Sequence, residues 1–563
     1  MATQGGSDTG KMPLEYFYEW ESQEPARIFL TQPTGGGAVR DLNFGEAGSE
    51  VRRIAAWLIA QGWPAGSKVA ILGKNSAHWV LADLAIMMAG HVSVPMYSTF
   101  NADALRYILE HSEARACFIG KLDDDASLKG GVPAGMPLIA LPLAPPVPGA
   151  LSWDALIAAT EPFAGKPVPG VDDLWTIVYT SGTTGRPKGV MLKFGALKWV
   201  AGPGLRRIPF TSEDRFLSYL PLAHIMERIV LEMSAIHYGC RIYFAETLDT
   251  FLTDLRRARP TVFLSVPRLW VKFQQGVHSK LPPEKLQRLL KIPIIGSLVR
   301  RKVLKGLGLE HCRFAGSGAA PLPGDVLRWY RNLGLELLEG YGMTENCAIS
   351  HAILPGTSFP GTVGVPYEGV ESRIDAKTGE VQMRSPAVMV GYYKEPEQTA
   401  AAFTADGWLR TGDKGVIDAH GNLRITGRVK DIFKTSKGKY VAPAPIEDLL
   451  VTHAAVEACV VTGANLAQPL ALLMLSQVAM AGASGAGRGA LTESLTVHLK
   501  TVNQQLDAHE KLECVTVITT LWTPENGFVT PTLKVKRARI EEVYANHYED
   551  WVRERKPVVW AEV

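Results

Sequence analysis

Thr180-Ser181-Gly182-Thr183-Thr184-Gly185-Arg186-Pro187-Lys188-Gly189 is the stretch on which the reading of this chain turns. The run before it, Leu174 to Tyr179, is largely apolar and predicts a buried strand, and a second apolar run starts at Val190. Three glycines and one proline within these ten residues rule out a helix. Four hydroxyls, Arg186, Lys188 and several backbone N–H groups then line the turn with partners for phosphate oxygens. It is not a GTPase-type P-loop, because Lys188 is followed by Gly189 where that loop needs Ser or Thr. Taken alone, the stretch also reads as a Ser/Thr/Gly surface turn.

On the N-terminal side, helix and strand signals alternate. Ala47 to Gln61 predicts a helix stopped by Gly62 and Pro64, Lys68 to Leu72 a short strand, Asn101 to His111 a helix and Ala116 to Ile119 a strand, the spacing of an α/β unit. Asn75 and Trp79 read as packing residues. Toward the C-terminus, Asp214 to Leu220 reads as a strand that runs into Leu220-Pro221-Leu222-Ala223-His224-Ile225-Met226-Glu227-Arg228 and a long apolar helix. Cys312 to Ala315 and Leu335 to Leu338 read as strands feeding the turns Gly316 to Pro321 and Glu339 to Gly342, the strand ends where open parallel sheets bind ligands. After Val363 the pattern becomes short strands and turns, a small barrel or meander, with a hairpin at Asp418 to Asn422. Met480 to Gly489, rich in Gly, Ala and Ser, reads as a mobile surface loop.

Four blocks now stand in order: the glycine-rich stretch, Tyr341-Gly342-Met343-Thr344-Glu345, Gly407-Trp408-Leu409-Arg410-Thr411-Gly412-Asp413, and Gly427-Arg428-Val429-Lys430-Asp431. In order and spacing they resemble the adenylate-forming superfamily of acyl-CoA synthetases, luciferases and adenylation domains, and within it the long-chain fatty-acyl-CoA synthetases. The resemblance runs from about residue 15 to about residue 545. It implies an α/β fold: a large N-terminal domain, residues 1–429, of several subdomains with parallel-rich sheets and a small β-barrel-like region, and a smaller mobile α+β C-terminal domain, residues 430–563. It also implies ATP, Mg2+ and CoA, with a fatty acid as the acyl donor.

Residue by residue, the resemblance places Ser181, Thr183, Thr184, Gly185 and Lys188 on the β- and γ-phosphates. Ser317, Gly318 and Ala319, with Glu339, Gly340, Tyr341 and Gly342, would flank adenine, Tyr341 stacking on it. Thr344 would meet the α-phosphate and Glu345 would hold the metal. Asp413 would accept both ribose hydroxyls, since a carboxylate offers acceptors without a competing proton, and Arg428 would complete ribose and phosphate recognition. His224 would sit at the mouth of the acyl pocket. Pro524 to Arg537 is similar to the family's last motif, with Lys534 at the position of the catalytic lysine and Lys536 and Arg537 as neighbours that could be mistaken for it. Lys434 to Tyr440, including Gly438, is similar to the loop that lines the pantetheine passage after the C-terminal domain rotates. Read singly, Glu345 is a helix-terminal charge, Asp413 a turn former and His224 a core histidine; their shared context favours the site.

Composition narrows the rest. With 59 basic and 56 acidic residues in 563, the net charge of +3 offers no global pull toward nucleic acid, and basic patches interleaved with aromatics are absent from the pattern. Six cysteines without a C-x-x-C pair suit a reducing cytoplasm and indicate neither zinc nor a disulfide framework. Met1 to Lys11 lacks the form of a secretory signal. Residues 271–307, rich in Lys, Arg and Leu, include a basic amphipathic segment, Leu286 to Lys291, which leaves weak peripheral contact at the inner face of a membrane open beside the plainer reading of a solvated face. A homodimer also stays open. The rival functions are an acyl-AMP ligase that delivers to a carrier protein, a CoA ligase for medium-chain or aromatic acids, and a nucleotide-binding protein without catalysis.

Overall fold

The structure is a computed structural model that describes residues 10–180, 186–204, 206, 208–357, 359–524, 526–530 and 534–561. Ser181, Thr183, Thr184 and Gly185 lie outside the described residues, as do Glu525 and Pro531 to Leu533 of the last motif.

The strand expected before the glycine-rich stretch spans Leu174–Thr180 and is buried through its middle. It pairs in antiparallel register with Lys188–Lys193, so that Thr180 faces Lys188 across the ladder. These two strands belong to an eight-stranded sheet in which Leu174–Thr180, Val92–Met96, Lys68–Leu72 and Ala116–Ile119 are neighbours in that order and run parallel. The parallel strands are buried on both faces, which is why they read as short continuous apolar runs. Helix Phe44–Ala60 starts at Asn43, whose side chain accepts from Glu46 N while the Glu46 carboxylate accepts from Asn43 N, and it buries Val51, Ile54 and Leu58. Helix Ala77–Met88 is buried along its whole length. Among the described residues no helix is long and apolar enough to cross a membrane.

A second sheet sets Val262–Ser265, Phe314–Ser317 and Leu337–Tyr341 side by side in parallel. Here the structure corrects a boundary: Glu339, Gly340 and Tyr341 belong to the strand itself, and Ser317 is the last residue of its own strand. The glycines that suggest a turn serve close approach instead. A Cβ on Gly342 would stand 2.2 Å from the Ala348 carbonyl oxygen, so the backbone after the strand folds back on itself only with glycine there. A third sheet contains Arg215–Ser218 and Arg241–Phe244. The expected meander is an antiparallel sheet of Glu371–Ile374, Glu380–Arg384, Leu409–Ile417 and Leu423–Arg428, with Arg428 the final residue of its last strand.

From residue 433 onward the strands pair among themselves. Phe433–Lys434 and Tyr440–Val441 form a hairpin, and Val456–Thr462, Leu470–Leu475, Val515–Ile518 and Val558–Ala561 form a mixed sheet. Helix Ala486–Asn503 packs on this sheet through Leu495, Leu499 and Val502. Its first turn takes in residues 486–489, so the stretch read as a loop is partly helical: apolar residues at helical spacing further on carry the helix back into weakly helix-forming sequence.

Candidate functional site

The long apolar segment after His224 begins as a π-helical turn, Glu227–Met233, before the α-helix Ser234–Tyr238. Asn75 anchors its entry. The Asn75 amide donates to Ser218 Oγ at 2.8 Å and to the Leu220 carbonyl at 2.6 Å, and its oxygen accepts from Leu222 N at 2.9 Å. Glu227 accepts from Ser218 Oγ at 3.1 Å and from Tyr219 N at 3.2 Å. His224 is therefore held from both sides. Its Nδ1 accepts from Met226 N at 3.2 Å, which leaves the proton of the neutral ring on Nε2. Burial first and the nearby Lys534 ammonium second push its pKa down to about 4, so the ring stays neutral at physiological pH.

A second group gathers around Glu345. Thr344 and Glu345 are buried in a single 3₁₀ turn, Thr344–Asn346, stabilised by Met343 N donating to Asn346 Oδ1 at 2.9 Å. Tyr392 donates its hydroxyl to Glu345 Oε1 at 2.9 Å, and Lys188 Nζ lies 5.2 Å from the centre of the Tyr392 ring. Arg186 instead stacks over Tyr107, 5.4 Å from its ring centre. Burial raises the Glu345 pKa, and Tyr392, Arg428 and Lys188 act against the rise. The carboxylate thus sits where a further cation would be welcome.

Asp413 and Arg428 face each other across an antiparallel ladder, with Arg428 Nε 3.1 Å from Asp413 Oδ1. The Tyr341 hydroxyl donates to Asp413 Oδ2 at 2.5 Å. Both carboxylate oxygens thus hold a protein partner, and each keeps a second lone pair. Tyr341 also lies tilted beside His351, ring centres 6.3 Å apart.

Glu339 does not face outward as a flanking turn residue would. It accepts from Leu322 N at 2.9 Å, fixing the segment 318–322, and burial pushes its pKa up to about 7. Within that segment Ala319 takes a left-handed conformation, φ +70°, and a Cβ on Gly318 would touch the Gly340 carbonyl at 3.4 Å. The Ser317 hydroxyl is buried without a partner among the described residues.

Lys534 comes to these groups from the C-terminal part. Its backbone is fixed by Thr530 N donating to Lys534 O at 2.8 Å and Lys534 N donating to Thr530 Oγ1 at 3.1 Å. Desolvation by the surrounding protein and Arg428 lower its pKa while Asp413 and Glu345 raise it, and the residue is exposed to solvent. Arg537 points elsewhere: its guanidinium donates to the Val461 carbonyl at 2.6 Å and pairs with Glu447 at 2.5 Å, both within the C-terminal part. Lys536 caps the helix Arg537–Tyr544. Lys434 and Gly438 lie on the hairpin, whose bonds run to Asn465 and Leu466, so the structure ties them to the C-terminal part and not to this cluster. An open pocket of about 460 Å³ lined by Arg215, Tyr243, Arg257 and His311 includes none of these residues.

The AMP-binding enzyme family matches residues 17–393, and its C-terminal domain family matches residues 430–555. This chain belongs to the AMP-binding enzymes. Within the family it is 32% identical to the long chain acyl-CoA synthetase 6, peroxisomal, of Arabidopsis thaliana, over 92% of this chain and 82% of that one. It is equally 32% identical to the long-chain-fatty-acid–CoA ligase FadD15 of Mycobacterium bovis, over 94% of this chain and 95% of that one. The adenylation domain of a carboxylate reductase from Mycobacterium chelonae has the same fold, with a TM-score of 0.80 at 23% identity, covering 97% of this chain and 92% of that one. ATP-bound MatB from Rhodopseudomonas palustris superposes with a TM-score of 0.73 at 25% identity, over 96% of this chain and all of that one.

Among the described residues no three His, Cys, Asp or Glu side chains form a cage. One carboxylate, Glu345, fits Mg2+, which keeps waters and takes substrate phosphate oxygens as ligands. Asn75 and Tyr392 were missed as site-shaping residues. Asn75 was read as packing, and its partners lie some 145 residues away in sequence; nothing in the Gly391-Tyr392-Tyr393 context signals a bond to Glu345, 47 residues earlier.

Proposed function

We propose that this protein joins a long-chain fatty acid to coenzyme A at the expense of ATP, through an acyl-adenylate. In the first half-reaction a carboxylate oxygen of the fatty acid attacks the α-phosphorus of ATP and pyrophosphate leaves. In the second the CoA thiolate attacks the acyl carbon and AMP leaves. The observation that carries this reading is the position of Lys534, a C-terminal cation in the field of Asp413, Glu345 and Arg428 and close enough to depress His224. Such an ammonium stabilises charge as it shifts between carboxylate and phosphoryl oxygens.

The same reading gives the other residues their roles. Asp413 uses its remaining lone pairs on the ribose, and Arg428 turns its positive charge to the α-phosphate. Lys188 with the preceding loop takes the β- and γ-phosphates. Thr344 donates to the α-phosphate. Neutral His224 offers Nε2–H to the fatty-acid carboxylate, orienting it without giving up a proton to it. Glu345, braced by Tyr392, holds Mg2+, which when bound supplies neutralisation of the triphosphate charge. The segment 318–322, pinned by Glu339, and Tyr341 enclose adenine. The division at residues 429 and 430 lets the C-terminal domain turn Lys534 away and bring the Lys434 to Gly438 hairpin forward for CoA. The protein works in the cytoplasm, a reading supported by six unpaired cysteines.

The chain-length reading is tested by giving purified protein ATP, Mg2+, CoA and a panel of acids. Thioester formation is expected to rise with chain length to about twelve carbons or beyond, since each buried methylene contributes about 0.8 kcal/mol. A maximum at acetate, benzoate or an amino acid contradicts the reading. Activity with a phosphopantetheinylated carrier protein and none with CoA transfers the function to acyl-AMP ligation.

A further inference from the structure

The segment between residues 280 and 307 forms two helices, Pro283–Leu290 and Pro293–Leu307. In the first, the apolar Leu286 is buried against the protein, so the basic segment singled out from the sequence does not present an apolar face. The second helix does. Gly296 and Leu307 are buried and Val303 and Leu304 partly buried, and these positions share one side of a 3.6-residue helix. On the opposite side stand Ile294, Leu298, Arg301, Lys302 and Lys305, all exposed. Ile294 is 80% exposed and Leu298 63%, with Ile292 at 45% and Ile295 at 44% beside them at the helix start. Four large aliphatic side chains thus meet solvent at one helical tip, and cations continue the same face toward the C-terminus. Between residues 280 and 307 there are eight Lys or Arg and a single acid, Glu284, in a chain whose overall charge is only +3.

We propose that this tip docks on the surface of a bilayer containing anionic phospholipid, Ile294 and Leu298 entering the headgroup boundary and Arg301, Lys302 and Lys305 meeting lipid phosphates. A short apolar patch followed by cations suits an interface: the aliphatic groups leave water while the guanidinium and ammonium groups stay with the phosphates. The local charge excess fits a negative surface. The use of such docking, taking a water-insoluble acid directly from lipid, rests on the fatty-acid reading above; the docking itself does not.

The experiment is co-sedimentation of the full chain with phosphatidylcholine vesicles, with and without phosphatidylglycerol, alongside soluble thioester assays and sedimentation velocity. The expected result is binding that requires phosphatidylglycerol and weakens with salt. The double variant Ile294→Asp with Leu298→Asp, and separately Arg301→Glu with Lys305→Glu, is expected to lose partitioning by at least about tenfold, while thioester formation in vesicle-free solution stays at the level of the unaltered protein. No binding by the unaltered protein, or equal binding by both double variants, overturns the proposal. A shift from dimer to monomer in the apolar double variant, without a change in vesicle binding, assigns the face to a second copy of the chain instead. Vesicle binding as expected with no thioester formed on any acid leaves the docking in place and removes the proposed function.

Discussion

Arg228 and Arg428 each pair with an aspartate, yet they do opposite things. Arg228 Nη2 lies 2.6 Å from Asp83 with both side chains fully buried, and its other donors face Thr176 at 2.9 Å and Ser93 at 3.1 Å. Glu232 lies 3.5 Å from its Nε, and Trp175 lies beneath the guanidinium at 4.1 Å. Arg428 holds Asp413 at 3.1 Å on a strand where about half its side chain remains exposed. The first cluster is closed to solvent, with Asp83 bonded to the guanidinium, and burial, with Asp83 beside it, holds the Glu232 pKa well up. The second leaves charge facing a cleft. The contrast teaches that what separates a site pair from a framework pair is access to solvent, and that the buried pair is the framework on which the neighbouring His224 turn is built.

The comparison breaks most visibly through Arg228. Arg228→Ala removes one partner from a buried network and is expected to cost about 3 to 5 kcal/mol of stability, read from denaturant unfolding. Arg428→Ala is expected to change stability by no more than about 1 kcal/mol while lowering acid-dependent pyrophosphate release by about tenfold or more. If Arg228→Ala is as stable as the unaltered protein and loses only activity, the two clusters do not differ as described.

A smaller effect sharpens the same comparison through pH. Burial pushes the Glu227 pKa up to about 8, from an ordinary value of 4.5, with Ser218 and Tyr219 acting against the rise. Between those two values the folded protein holds a proton that the unfolded chain has released. Stability from this group is therefore present at low pH and declines as pH rises through about 8, at no more than about 1.4 kcal/mol per pH unit. Glu227→Gln keeps the acceptor and removes the titration, so the unfolding free energy is expected to vary less with pH across this window. An unchanged slope places an ionised carboxylate in the framework and contradicts its closed, neutral character.

Much of the fold was legible because its strands are short apolar runs bounded by Gly, Pro and Asn, and the pattern of buried parallel strands needs no partner to be seen. The site was legible where its residues are contiguous, as in Tyr341 to Glu345. Strand ends were not: Glu339 to Tyr341 and Arg428 lie in strands although Gly340 and Gly427 stand among them, and local sequence does not distinguish a glycine in a strand from one in a turn. Nor were the long-range supports. Asn75 reaches Leu220, and Arg228 reaches Asp83 some 145 residues away, so nothing local to Arg228 shows it to be the centre of the framework.

The central claim is that Lys534 serves adenylation and then leaves. In the orientation described here it sits among Asp413, Glu345, Arg428 and His224, while the hairpin of Lys434 and Gly438 is held by Asn465 and Leu466. The direct measurement is to separate the half-reactions in Lys534→Ala, with Lys536→Ala as the neighbouring control. Lys534→Ala should suppress fatty-acid-dependent pyrophosphate release by at least about a hundredfold, a loss of roughly 3 kcal/mol, yet convert supplied acyl-adenylate and CoA to thioester near the normal rate, with Lys536→Ala much less affected in adenylation. Normal adenylation by Lys534→Ala, or equal loss of both half-reactions in a folded variant, would contradict it.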